Sequence, residues 1–199
     1  MKRKEEIREI FIRYNNVLRT SQLSSEKIHY VDIQRLLNDG DIEKIRRGYY
    51  HWVDQSNHSE VIIINSLFPD AILCMDTALL YYGYSDRNPV EWHLAVERNI
   101  AKQRVKIDYP FIKVYRTEAY LMPIGETVGS IDDIEVRIYD RERTICDCLK
   151  NMNRMDKELF NKAIQNYVRD SKKNIPNLMM YAKELRVQKK VRDLIGVWL

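Results

Sequence analysis

The chain is short of cysteine, histidine, glycine and long apolar runs, and each shortage removes a class of protein. Three cysteines (Cys74, Cys146, Cys148) in 199 residues are an odd and sparse set. That count argues against a disulfide scaffold and fits a reducing compartment. The four histidines, His29, His51, His58 and His93, form no i, i+4 pair, and Cys146-Asp147-Cys148 has no partner cluster, so no metal site is expected. Six glycines leave little material for phosphate-cradling loops. There is no G-x-G-x-x-G, no P-loop and no G-x-S-x-G elbow, so no cofactor is expected and the chain reads as non-enzymatic. No apolar run approaches the roughly 20 residues of a membrane-spanning helix. The opening MKRKEEIREIF carries charge where a signal peptide needs an apolar stretch. These absences predict a cytoplasmic protein with no membrane partner.

What is present is a folding composition with uneven charge. Hydrophobic residues make up 45% of the chain, enough to build a core in one large domain or two small ones. The net charge of +4 divides unevenly: +3 over residues 1–53, −4 over 54–171 and +5 over 172–199. Basic ends suit polyanions, whereas an acidic middle does not.

Asp54-Gln-Ser-Asn-His-Ser59 has no apolar residue and lies between patterned regions, so 54–59 reads as a linker between domains at 1–53 and 60–199. In the first region Ile7, Ile10, Phe11 and Tyr14 recur at helical spacing, which predicts a helix over Lys2–Asn16. Thr20 is a candidate cap for a short second helix burying Leu23 and Ile28. A third helix follows over Val31–Asp39, with Ile33, Leu36 and Leu37 inward and Gly40 as its stop. Ile42–Val53 reads as a hairpin turning at Arg46-Arg47-Gly48. Three helices and a hairpin within about 50 residues have the layout of a winged helix-turn-helix. The outer face of the third helix would present Val31, Gln34, Arg35 and Asn38, whose polar members suit base edges, with Tyr30 at its start near sugar or phosphate. Lys44, Arg46 and Arg47 would hold phosphates from the hairpin.

The second region reads as mixed α/β. A helix is predicted over Glu60–Phe68, a strand over Ala71–Met75, and a helix over Thr77–Tyr82 capped by Asp76. Strands follow over Glu91–Glu97, Phe111–Arg116 and Ile134–Tyr139, then a helix over Arg141–Asn151 capped by Asp140. Three more helices from Asp156 would bury Leu159, Ala163, Ile164 and Tyr167; then Leu178, Tyr181, Ala182 and Leu185; then Val191, Leu194, Ile195 and Trp198. Pro176 sits where one of them can begin. Arg143 and Asp147, four apart, form a local helical ion pair worth a few tenths of a kcal/mol. Asp70, Glu97 and Lys102 raise the alternative of a metal-dependent nuclease, but Glu-x-x-x-x-Lys is the wrong spacing for such a site.

Taken together, these residues resemble a family. Gly40-Asp-Ile-Glu-Lys-Ile-Arg-Arg-Gly-Tyr-Tyr50 is similar to the winged-helix opening of AbiEi-type antitoxins, the transcriptional repressors of bacterial type IV (abortive infection, phage-defence) toxin–antitoxin systems. Pro69-Asp-Ala-Ile-Leu-Cys-Met-Asp-Thr-Ala-Leu-Leu-Tyr-Tyr-Gly83 resembles that family's Ser/Thr-Ala-Leu…Gly element through Thr77. Trp92-His-Leu-Ala-Val96 resembles the strand that follows, and Arg141-Glu142-Arg143-Thr144 with Asp147 resembles its Glu-Arg-Thr…Asp helix start. A His often precedes the Ala-Leu element, where this chain has Met75-Asp76, and the tail after Lys172 matches no family motif.

The resemblance implies an α+β protein: an N-terminal winged helix-turn-helix, then a mixed α/β antitoxin domain with a helical C-terminal tail. It implies repression of the protein's own operon at double-stranded inverted repeats. It also implies opposition to a nucleotidyltransferase-type toxin without a stable complex. The motif residues at 77, 141–144 and 147 would be structural. Lys183, Arg186, Lys189 and Lys190 of the basic tail offer a possible second DNA-contacting surface. A rival reading keeps the winged helix and makes the second region a sensor of a small molecule or partner protein.

Overall fold

A computed structural model describes residues 3–53 and 59–196 and is mixed α+β. The expected linker lies outside the described residues apart from Ser59, as do His58 and Trp198. The chain divides into two compact units. The first is 1–69 with 106–110 and 131–134; the second is 70–105, 111–130 and 135–199. The helix at 60–67, expected in the second domain, therefore lies in the first unit.

The first unit runs α1 (Lys4–Arg13), β1 (Val17–Arg19), α2 (Thr20–Ser25), α3 (Tyr30–Asn38), β2 (Ile42–Arg46), β3 (Tyr49–Trp52) and α4 (Glu60–Leu67). Its sheet has the order β1-β3-β2, antiparallel throughout. The strand β1 was not expected: three residues carry too little alternation to announce it. Ile7, Ile10, Phe11, Leu18, Leu23, Ile28, Ile33, Leu36, Ile42 and Trp52 form one core. Ile42 and Ile45 are both buried although three apart, which strict alternation forbids; a register shift between Lys44 and Arg46 accommodates them.

The helix ends follow one device. After α2 the Ile28 amide donates to Leu23 O (2.9 Å) with Lys27 at φ 56°, and after α3 the Asp41 amide donates to Leu36 O (2.9 Å) with Gly40 at φ 73°. Both are left-handed terminations that satisfy otherwise orphaned carbonyls, and the first also folds the apolar Ile28 back. Thr20 does not cap α2. Arg19 holds that position, its amide donating to Gln22 Oε1 (2.8 Å), while the Thr20 amide and hydroxyl both donate to Gly48 O (2.9 and 3.2 Å).

The second unit contains β4 (Ile72–Leu73), α5 (Met75–Tyr81), β5 (Trp92–Glu97), β6 (Ile112–Thr117), β7 (Glu126–Ile131), β8 (Ile134–Tyr139), α6 (Arg141–Asn151), α7 (Lys157–Arg169), α8 (Ile175–Glu184) and α9 (Gln188–Leu194). The sheet order is β6-β5-β4-β8-β7. Strands β5 and β6 pair in parallel, as do β4 and β8, while β4 and β5 are antiparallel. Strand β7 was not expected; Thr127 and Val128 are both exposed, so its alternation is broken. Asp76 does not cap α5: Cys74 precedes the helix and Asp76 lies inside it. Asp140 caps α6 as expected, its carboxylate accepting from the Arg143 amide at 2.8 Å. Among the described residues the tail helices bury those expected of them, except Leu194, which is 37% exposed.

Candidate nucleic-acid interface

In the first unit α2 and α3 are joined by the turn at Glu26–His29, and α3 buries Asp32, Ile33 and Leu36. The opposite face carries the residues singled out in the sequence. Tyr30 is 72% exposed and Val31 66%, Asn38 is exposed, and Gln34 and Arg35 are half-buried. Two large apolar side chains held in water at the start of a helix contribute nothing to this unit's core. Both are of the kind that pack on sugars or thymine methyl groups. Arg35 is braced by Asp32, whose Oδ1 lies 3.5 Å from its Nη2.

On the hairpin, Lys44 and Arg47 are exposed. Arg46 is not a loose cation: its guanidinium stacks on the Tyr49 ring, 4.0 Å from the centroid, and Arg19 approaches the same ring at 5.6 Å. Arg19 and Tyr49 were missed in the sequence, because the stack needs β1 and β3 side by side and β1 was invisible. The two bonds from Thr20 to Gly48 O fasten the hairpin turn to the start of α2. They hold the exposed cations in a fixed place relative to the helices.

The motif residues of the second unit lie in its packing. The Thr77 hydroxyl accepts from the His93 amide (2.9 Å), and His93 Nδ1 accepts from the Asp76 amide (3.2 Å). Thus α5 is tied to β5 through a histidine only 4% exposed. Arg141 reaches Asp170 (3.0 Å) and lies over the Tyr82 ring. Glu142 accepts from the Asn174 amide (2.7 Å) and the Tyr167 hydroxyl (3.3 Å), and the Thr144 hydroxyl points at Tyr139 O (3.4 Å). Arg143 and Asp147 are not the small surface pair that spacing alone implied. Arg143 is 1% exposed; its Nε lies 3.2 Å from both Asp147 oxygens and its Nη1 donates to Leu121 O and Ile124 O at 2.6 Å.

Burial, with the charge of Lys113, pushes the His93 pKa down to about 4 from an ordinary 6.5. The ring is therefore neutral at pH 7, and its 3.7 Å approach to Asp76 is not an ion pair. Between pH 6.5 and 4 the unfolded chain takes up a proton that the folded chain refuses. Stability present above pH 6.5 is thus lost as pH falls, by up to about 3 kcal/mol. Half-buried Asp76 and Asp140 and buried Glu142, raised by desolvation, pull the other way at lower pH. The clean measurement is thus the difference between the wild type and His93→Asn, which keeps an acceptor for the Asp76 amide. In urea unfolding, the wild type's advantage at pH 7 should shrink by pH 4.5; a constant gap would refute the assignment.

Of the tail cations, Lys183, Arg186 and Lys189 are exposed. Lys190 is half-buried and donates to Leu149 O at 2.7 Å, so it caps α6 and does not belong to a free basic surface. Asp70, Glu97 and Lys102 are exposed. Among the described residues no three His, Cys, Asp or Glu side chains are grouped to hold a metal, and no helix is long and apolar enough to cross a membrane.

Residues 5–50 match a protein family described as "Transcriptional regulator, AbiEi antitoxin". The match runs from α1 into β3, over the elements that carry the exposed face of α3 and the basic hairpin. No curated protein matches the chain.

Proposed function

We propose that this chain is a non-enzymatic, DNA-binding repressor of its own operon that also serves as antitoxin to a nucleotidyltransferase-type toxin. The observation that carries the reading is the match to AbiEi transcriptional regulators over residues 5–50, where α3 exposes Tyr30 and Val31 beside Gln34, Arg35 and Asn38. In this reading the first unit is a winged helix-turn-helix: α3 enters the major groove of an inverted repeat, and Lys44, Arg46 and Arg47 hold the flanking backbone. The second unit supplies the antitoxin activity in the cytoplasm, without a stable toxin complex.

Full-length protein titrated against labelled DNA from its own promoter should bind at least about 10³-fold more tightly than to a shuffled duplex at physiological salt. Equal affinities would overturn sequence-specific repression. Co-expression with the adjacent reading frame tests the antitoxin arm: growth restored by the full chain supports it, and unrelieved toxicity removes it.

The tail enters as a second phosphate contact. Neutralising Lys183, Arg186 and Lys189 together should lower the salt slope of operator binding by up to about 3, because each lost phosphate contact removes close to one released counterion. Lys190→Ala should leave the slope alone and cost stability instead, since its ammonium caps α6. An unchanged slope in the triple variant would confine DNA contact to the first unit.

A further inference from the structure

The second unit contains a cleft of about 460 Å³ to which the DNA-binding reading gives no role. Its walls come from the edge strand β6 (Lys113–Thr117), the start of α5 with Cys74, the last turn of α6 (Asp147, Lys150, Asn151), and the segment carrying Arg154 and Met155. In β5 and β6, His93 pairs with Lys113, Ala95 with Tyr115 and Glu97 with Thr117, so Lys113, Tyr115 and Thr117 share one face of the sheet.

The charge in this cleft is lopsided. Five cations, Lys113, Arg116, Arg143, Lys150 and Arg154, line it against one carboxylate, Asp147. Arg143 is consumed by Asp147 and two carbonyls, and Arg116 donates to Arg98 O and Ile100 O (2.7 and 2.9 Å). The other three, Lys113, Lys150 and Arg154, have no ion pair or hydrogen bond among the described residues. The end of α6 does not need them: Lys190 takes Leu149 O and the Asn151 amide takes Asp147 O (2.7 and 2.9 Å). Three like charges gathered at one concavity raise its energy until an anion enters. The concentration is not a general property of this part of the chain, since residues 54–171 are net negative.

The remaining lining is of another kind: Met75, Ala95, Val114, Met155 and the half-buried Tyr115 ring. Asn151 adds a side-chain amide whose oxygen makes no hydrogen bond among the described residues, and Thr117 a hydroxyl. Met75 is also held at φ 46°, a strained conformation for a non-glycine residue and one that concentrates at ligand sites. A concavity of this size suits a small molecule, not a duplex. It asks for a ligand with several negative charges at one end and a flat, weakly polar ring at the other.

We propose that this cleft is a binding site for a nucleoside di- or triphosphate, with Lys113, Lys150 and Arg154 on the phosphates and the half-buried Tyr115 and Met155 against the base. The proposal stands independently of DNA binding.

Calorimetry on the full chain tests it with ATP, GTP, CTP and UTP, and with adenosine and inorganic tripolyphosphate as half-ligands. At least one nucleotide should bind at one site with Kd below about 100 μM, at least tenfold tighter than either half-ligand. Lys113→Ala/Lys150→Ala/Arg154→Ala should weaken that binding at least about 30-fold while the chain stays folded, because none of the three makes an ion pair or hydrogen bond among the described residues. Arg154→Lys, which keeps the charge, should retain most of it, and Lys44→Ala/Arg47→Ala on the hairpin should retain all of it. No binding of any nucleotide at millimolar concentration would overturn the proposal. So would tripolyphosphate binding as tightly as the nucleotides, or a triple variant that binds like the wild type.

Discussion

Arg143→Met should destabilise the second unit by about 3–5 kcal/mol, a large share of the 5–15 kcal/mol that holds most domains together. The size follows from what the side chain leaves behind. Its guanidinium is the donor for both oxygens of Asp147 and for the carbonyls of Leu121 and Ile124, and it stacks 4.0 Å above the Tyr139 ring. Removing it strands a carboxylate and two carbonyls in a place where water enters poorly. Burial already pushes the Asp147 carboxyl up, and the Arg143 charge works against that rise. Without the arginine, burial would push the Asp147 carboxyl further up, with only Lys150 left to oppose the rise.

Neighbouring backbone has been shaped to admit this residue. A Cβ on Gly125, at φ 73°, would come within 2.4 Å of the Arg143 Cβ. Arg143→Lys should recover little, since one ammonium cannot reproduce a planar fork across four acceptors. Asp147→Leu on top of Arg143→Met should recover part, because the stranded charge is gone while the two carbonyls still lack donors. Calorimetry of the wild type, Arg143→Met, Asp147→Leu and the double variant, with hydrogen exchange across α6 as the local probe, closes the cycle. A loss below about 1 kcal/mol for Arg143→Met would mean that the pair is no more than the surface bridge its spacing implies.

That contrast marks where reading the sequence ran out. An Arg and an Asp four residues apart look the same on a wet helix face and in a core. Only the turn at Leu121–Gly125, some 20 residues upstream, decides between them. Features encoded locally were legible. Helix α6 begins after Asp140 because an Asx cap precedes a helical pattern, and α3 stands out through Ile33, Leu36 and the Gly40 stop. Features that need two distant segments were not. Strand β1 is three residues long and exists because β3 lies beside it; without it the Arg19–Tyr49–Arg46 stack could not be foreseen. The proposed nucleotide cleft gathers Lys113 from a strand edge and Lys150 and Arg154 from a helix end, and no spacing in the sequence connects Lys113 to the other two. The candidate DNA face was legible because a helix places i, i+3, i+4 and i+7 together by itself: Val31, Gln34, Arg35 and Asn38 needed no partner segment.

Substitutions on that face and on the hairpin should separate into two behaviours in operator binding. Lys44→Ala/Arg47→Ala removes two exposed cations that hold nothing in the fold. It should weaken operator and shuffled DNA alike, on the order of tenfold per cation at moderate salt, and lower the salt slope by about 2. Gln34→Ala and Asn38→Ala remove paired donor–acceptor groups that read base edges. Each should cost about 1–3 kcal/mol on the operator, little on shuffled DNA, and leave the slope unchanged. Arg35→Ala is a poorer probe because it also releases Asp32, which is 1% exposed. Arg46→Lys distinguishes a third case: the charge stays, but the flat stack on Tyr49 is lost, so the cation is no longer held in place. Affinity should fall for both DNAs while the slope holds, since the number of neutralised phosphates is the same. Should Lys44→Ala/Arg47→Ala leave both affinity and slope untouched, the hairpin is not on the backbone and the docking of α3 in the groove loses its support.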